Sequence, residues 1–289
     1  MKKVILMAMA AAMICGCEKM VIDDQAEEIV EVEGPTKKFH FTIKGDFGSA
    51  TFTRGYMHAD GKEMTDLWVF DFMDGTCVQS LHQTNEDADW GVPEMSLAYG
   101  SHHVYFVASR GVDPSVDTSG KTISWSSVRD TFWKDYEVEV VSTSNGNRAV
   151  TLDRVVTKLK IIVDDVVQTG CASVNVTPDR WYYGLNYVTG AAVSSQKKEI
   201  TVAVPESYAG TEGELIVSVF SLSGIDEWTT NVSFNAKDGS GNVLGSATIP
   251  GAPFKRNRST EYHGSLFGSS GTLDVSINGD WDSPKTGTW

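Results

Sequence analysis

Apolar and polar residues alternate with a period of two in short runs along most of this chain, and turn-forming residues separate the runs. Phe39, Phe41 and Ile43 alternate with His40 and Thr42. The run 67–72 (LWVFDF) meets Asp74-Gly75, a pair suited to a two-residue hairpin, and 77–81 runs back. The same texture recurs over 104–107, 137–141, 159–163, 215–222, 231–234, 243–249 and 273–277. Asn145-Gly146, Asp238-Gly239 and Asn278-Gly279 punctuate these runs. No helical pattern separates successive strands, so the spacing predicts β-sandwiches rather than an α/β sheet.

One short helix is expected in the first half. Ser124 fits an N-cap, and Trp125, Val128, Phe132 and Trp133 fall on one face at helical spacing. That stripe reads as core packing before it reads as a ligand platform. The least structured point of the middle is Asn145-Gly146-Asn147, and a fresh run begins at Arg148. The expected division is therefore a leader over 1–17, a tether over 18–35, a first sandwich over 36–147 and a second over 148–289. Domains of roughly 110 and 135 residues suit sandwiches of ordinary size.

The N-terminus follows the order of a secretory signal. Met1-Lys2-Lys3 supplies charge, and Val4 to Ile14 is apolar but too short to anchor stably across a bilayer. Ile14-Cys15-Gly16-Cys17 then resembles a bacterial lipobox, with an aliphatic residue, two small positions and the cysteine to be lipidated. The expectation is an outer-membrane lipoprotein carrying its lipid on Cys17, at the cell surface. Residues 18–35 (EKMVIDDQAEEIVEVEGP) form an acidic stretch ending in Gly34-Pro35. This stretch resembles the surface-export signals of Bacteroidota lipoproteins, and it reads equally as a solvated spacer.

A formal charge of −14 and a pI near 4.8 argue against nucleic acid or anionic lipid as partners. Beyond the leader, Cys77 and Cys171 are the remaining cysteines, too few for a disulfide-stapled scaffold, although a single bond between them stays open.

The sequence contains no G-x-S-x-G, H-E-x-x-H, P-loop or G-x-G-x-x-G signature. The expected chain is not an enzyme, and no cofactor or metal is expected. His102 and His103 are adjacent, so in a strand their rings point to opposite faces. Residues 85–91 (NEDADWG) approach a calcium loop, but the glycine is one place late and Ser96 stands where a bidentate glutamate is needed. Trp181, Tyr182 and Tyr183 form one aromatic cluster with two readings. Exposed, it would stack on sugar faces, making a surface glycan-binding lipoprotein the alternative function. In a half-buried strand the same residues would be core.

Taken in order, the motifs form a familiar series. A lipobox and acidic tether lead to a strand, then Phe52-Thr53-Arg54-Gly55 and the run 67–75. The segment 101–109 (SHHVYFVAS) follows, then 152–163 (LDRVVTKLKIIV), 255–264 (KRNRSTEYHG) and a closing Asp280-Trp281. This order resembles the fimbrillin family, the lipoprotein pilins and fimbrial anchors of Bacteroidota, over nearly the whole chain. The resemblance implies two tandem transthyretin-like, immunoglobulin-like β-sandwiches. It also implies a non-enzymatic fimbrial (pilus) subunit or anchor whose partners are other fimbrial subunits, joined by strand exchange, with host or glycan ligands in reach. In that family an arginine-specific protease removes the N-terminal piece with its first strand, and a neighbour's C-terminal strand fills the groove. Mapped here, cleavage would fall between Arg54 and Gly55; a solvated turn arginine is the other reading of Arg54. The donor strand would present Leu273, Val275 and Ile277, which also fit an ordinary last strand paired within its own domain.

Overall fold

The computed structural model describes residues 34–45, 58–59, 62–267 and 273–278. Cys17, the leader, most of the tether and the Arg54–Gly55 pair lie outside the described residues.

The first half begins with β1 (Thr36–Gly45), a two-residue pair β2 (His58–Ala59) and β3 (Lys62–Glu63), and then β4 (Asp66–Met73). It continues through β5 (Thr76–Thr84), β6 (Glu94–Ala98), β7 (Gly100–Ser109), β8 (Val112–Asp117), β9 (Thr122–Ser127), β10 (Thr131–Val140) and β11 (Asn147–Arg154). The second half runs β12 (Val156–Val163), β13 (Cys171–Pro178), β14 (Trp181–Asn186), β15 (Ala191–Gln196) and β16 (Ile200–Ala203). A 3-10 turn, Glu206–Tyr208, precedes β17 (Leu215–Leu222), β18 (Trp228–Asp238), β19 (Val243–Phe254), β20 (Ser259–Gly264) and β21 (Leu273–Asn278). The all-β architecture of several sheets is consistent with tandem β-sandwich domains.

Seven strands form the first sheet in the order β5-β4-β7-β10-β11-β1-β6. Asp74 and Gly75 both adopt positive φ (48° and 79°), closing the β4–β5 hairpin as the Asp-Gly pair predicts. Phe39, Phe41, Leu67, Val69, Val104, Phe106 and Phe132 share one core cluster on one face of this sheet. One face of a single sheet buries itself when the sheet curls, and the loop between β5 and β6 links its two edges.

The second half is a sandwich of two four-stranded sheets, β17-β12-β20-β21 and β16-β13-β18-β19. Leu159, Ile161, Val217 and Val219 on one sheet join Val174, Val176, Val232 and Phe234 on the other in a common core. A further sheet, β15-β14-β9-β8, takes one hairpin from each half. It packs on the outer face of β4 and β7: Tyr187 stacks on Phe70 with ring centroids 3.9 Å apart, and Trp125 meets Trp68 edge-on at 6.2 Å. β4 is consequently buried on both faces, which is why 67–72 is apolar almost throughout.

Two expectations are corrected. The segment after Ser124 is not helical: Ile123 and Trp125 alternate into the core from β9, a short turn follows, and Phe132 and Trp133 face opposite sides of β10. The helical spacing arose from three different local structures. The break expected between 147 and 148 falls inside β11, which pairs with β1 and β10 in the first sheet. The chain enters the second sandwich at Val156.

Arg154 ends β11 and is buried in a two-pronged pair with Asp130 (2.8 and 3.1 Å), while its Nη1 donates to Asn257 Oδ1 of the second half at 3.3 Å. A second buried pair lies within the first half. His102 Nδ1 is 2.7 Å from Asp71 Oδ1, and Nε2 is 2.9 Å from the Ala98 carbonyl. Burial disfavours the imidazolium, but hydrogen bonds to Asp71 and Ala98 outweigh it and raise the His102 pKa above its ordinary 6.5. A raised folded-state pKa gives stability that is complete below about pH 6.5 and is lost as pH climbs through the folded value. The urea midpoint is therefore expected to fall between pH 6 and pH 9, and Asp71→Asn to flatten that slope while costing about 3–5 kcal/mol. Chemical denaturation at a series of pH values checks this; an equally steep slope in Asp71→Asn would contradict it.

Candidate assembly site

β1 holds the pattern TKKFHFTIKG, and its inward residues Phe39, Phe41 and Ile43 are 0%, 0% and 1% exposed. The strand lies between two others. It runs parallel to β11 from His40 opposite Asn147 to Gly45 opposite Leu152. It runs antiparallel to β6 from Thr36 opposite Ala98 to His40 opposite Glu94. Beyond β6, the amide of Phe41 donates to the Pro93 carbonyl (3.0 Å) and that of Ile43 to the Gly91 carbonyl (3.3 Å).

Inside, Phe41 meets Phe106 edge-on at 5.1 Å and Tyr136 at 6.0 Å, and Arg148 lies 5.4 Å from the Phe39 ring. Outside, Glu94 pairs with Lys38 and lies 3.0 Å from His40 Nδ1. The Lys38 ammonium holds the Glu94 carboxyl below the ordinary carboxylate range. Gly146, read from sequence as part of a domain break, is where β1 docks. The amide of His40 donates to its carbonyl at 2.7 Å, and a Cβ there would strike the Lys38 carbonyl.

β1 is thus a single strand filling a slot between β6 and β11. Each of its three inward side chains contributes about 1.5–3 kcal/mol of apolar burial, a total comparable to the net stability of many domains. Withdrawal of β1 would leave two unpaired strand edges over an apolar trough, a geometry that another alternating strand can fill.

β21 has the matching alternation at Leu273, Val275 and Ile277. It pairs antiparallel with β20 at the edge of its own sheet, from Gly264 opposite Leu273 to Ser259 opposite Asn278.

The aromatic cluster is corrected as a sugar platform. Trp181 is fully buried, donating from Nε1 to the Phe220 carbonyl (2.8 Å) and meeting Phe254 edge-on at 5.2 Å. Tyr183 is buried too, and burial pushes its hydroxyl pKa up. Tyr182 is half-buried against Trp228 at 5.3 Å. Period-two geometry sends Trp181 and Tyr183 into the core together, which leaves no exposed stacking face of three rings.

His102 and His103 do point to opposite faces of β7. His103 is exposed beside Asp135 (3.1 Å), with Glu137 near enough that one ligand atom from each of the three lies within 4.8 Å of the others. Cross-strand register assembles that trio, and no sequence spacing announces it. Cys77 and Cys171 form no disulfide, and burial raises the Cys171 thiol pKa.

Among solved structures, the fold is similar to that of a candidate adhesin from Bacteroides ovatus, at 13% identity over 86% of this chain and 95% of that one, with a TM-score of 0.50. A candidate cell-adhesion protein from Bacteroides uniformis is also 13% identical, over 85% of this chain and 98% of that one, at 0.50. A fimbrial assembly protein from Parabacteroides distasonis is 12% identical, over 84% and 99%, at 0.48. At these identities the likeness is one of fold. The chain itself belongs to a family of unknown function, DUF6562, whose model matches residues 115–288. No curated protein matches it.

If β1 is the strand that closes the first core, Phe41→Ala should cost about 3–5 kcal/mol. The outward neighbour substitution Thr42→Ala should stay within about 0.5 kcal/mol. Paired urea titrations test this contrast, and equal effects at the two positions would refute it.

Proposed function

We propose that this chain is a non-enzymatic cell-surface lipoprotein, lipidated on Cys17, that serves as a fimbrial subunit or fimbrial anchor and joins its partners by strand exchange. The observation that carries the reading is β1: one alternating strand, inserted between β6 and β11 and followed nine residues later by Arg54-Gly55. Cleavage after Arg54 would cut the covalent link between β1 and the rest of the fold. The vacated slot would then accept the alternating C-terminal strand of a neighbouring copy or subunit. The fold shared with adhesion proteins of Bacteroides supports a surface role of this kind.

The two roles differ in the fate of the N-terminus. A stalk subunit loses residues 1–54 with the lipid, whereas an anchor keeps both and remains rooted in the outer membrane. N-terminal sequencing of the protein recovered from cells separates them: a start at Gly55 marks the subunit, and a lipidated Cys17 marks the anchor. For the subunit, purified chain beginning at Gly55 is expected to form polymers, and removal of residues 272–289 to leave monomers. Size-exclusion chromatography with light scattering reads the outcome. A Gly55 chain that stays monomeric with its last strand intact would overturn the stalk role.

A further inference from the structure

The chain carries a formal charge of −14, yet one concave surface gathers cations. Two adjoining clefts of about 170 and 490 Å³ share Ser127, Arg129, Ile200, Thr201 and Phe220 as walls. They lie where the turn after β9 meets β16 and β17, so both halves of the chain contribute. Lys198 and Tyr183 line the smaller cleft; Arg110 and Lys158 line the larger. Among the described lining residues the one carboxylate is Glu199, which pairs with Lys237 at 3.5 Å.

The donors here outnumber their acceptors. Tyr183 is 5% exposed, and its hydroxyl has no hydrogen-bond partner among the described residues. Arg110 Nε is likewise buried and unpartnered, and its guanidinium lies 5.8 Å from the Phe220 ring. Burial and the positive charge of Arg110 both lower the Arg129 pKa, so the two guanidinium groups feel each other across the cleft. Neither is paired with a carboxylate among the described residues. Lys198 extends from its contact with the Ser126 carbonyl (2.8 Å) to within 4.5 Å of the Tyr183 ring.

Two half-buried guanidinium groups held together without a counter-charge repel each other and are poorly solvated. A buried hydroxyl without a partner adds a further cost. An oxyanion relieves all three, because guanidinium N–H groups and a phenol O–H donate to it in charge-assisted hydrogen bonds.

We infer that this cleft is a binding site for an oxyanion group, a sulfate, phosphate or carboxylate, held by Arg110 and Arg129 with the Tyr183 hydroxyl as a further donor. The inference is independent of strand exchange, since the described lining residues of both clefts include none from β1 or β6.

Isothermal titration of the full chain with sodium sulfate, sodium phosphate and sodium glucuronate, at matched ionic strength with chloride as control, tests the assignment and distinguishes the three chemistries. Saturable one-site binding of at least one oxyanion, absent with chloride, is expected. Arg129→Gln and Arg110→Gln should each weaken it at least tenfold, and Tyr183→Phe, which removes the hydroxyl alone, several-fold. Should Arg129→Gln fail to fold, Arg110→Gln and Tyr183→Phe decide the matter. The inference is overturned if none of the three salts saturates, or if folded variants keep the wild-type affinity.

Discussion

A sheet that buries one of its own faces must curl and be closed strand by strand, and β1 closes this one. It lies between β6 and β11, and its inward Phe39, Phe41 and Ile43 join residues from β4, β7 and β10 in one core. Most strands of a sandwich reach their partners through short hairpins. β1 instead pairs in parallel with a strand more than a hundred residues later, so no turn fixes its place. Its position depends on side chains in the trough and on backbone bonds to the 91–98 and 146–152 segments.

That dependence is local. The trough under β1 belongs to the core of the first half, whereas Trp68, Phe70, Phe72 and Tyr105 on the opposite face share a core with the second half. Tyr187 stacked on Phe70, Trp133 Nε1 donating to the Tyr187 carbonyl (2.7 Å) and Arg154 reaching Asn257 tie the halves together on that opposite side. Loss of β1 would open one core and leave the junction between the halves in place. A subunit that exchanges its first strand needs this separation, because the remaining scaffold must hold the slot in shape while it is empty.

Much of this was legible in residue patterns, for physical reasons. Period-two alternation found β1, β12 and β17, because one face of each meets a core and the other meets water or charge. Asp74-Gly75 located a hairpin because positive φ is cheap there. What failed was non-local. Ser124 to Trp133 mimicked a helix because two strands and a turn happened to space the apolar residues Trp125, Val128 and Phe132 by three and four. Asn145-Gly146-Asn147 looked like a linker because its role, accepting β1 in parallel, leaves no trace in neighbouring residues. Trp181 and Tyr183 carry no mark saying which face is buried. The charge-rich cleft of Arg110 and Arg129 comes from segments that only the fold brings near Tyr183 and Thr201. Pairing of His102 with Asp71 is equally a matter of cross-strand register.

The central claim is that the slot between β6 and β11 accepts the C-terminal strand of another copy in place of β1. Amide hydrogen exchange on a chain spanning 55–271, with and without a synthetic peptide of residues 272–289, tests it directly. Fast exchange at 94–98 and 147–152 in the chain alone, slowed when the peptide binds one to one, is the predicted result. Exchange at those amides that the peptide leaves unchanged would contradict the account.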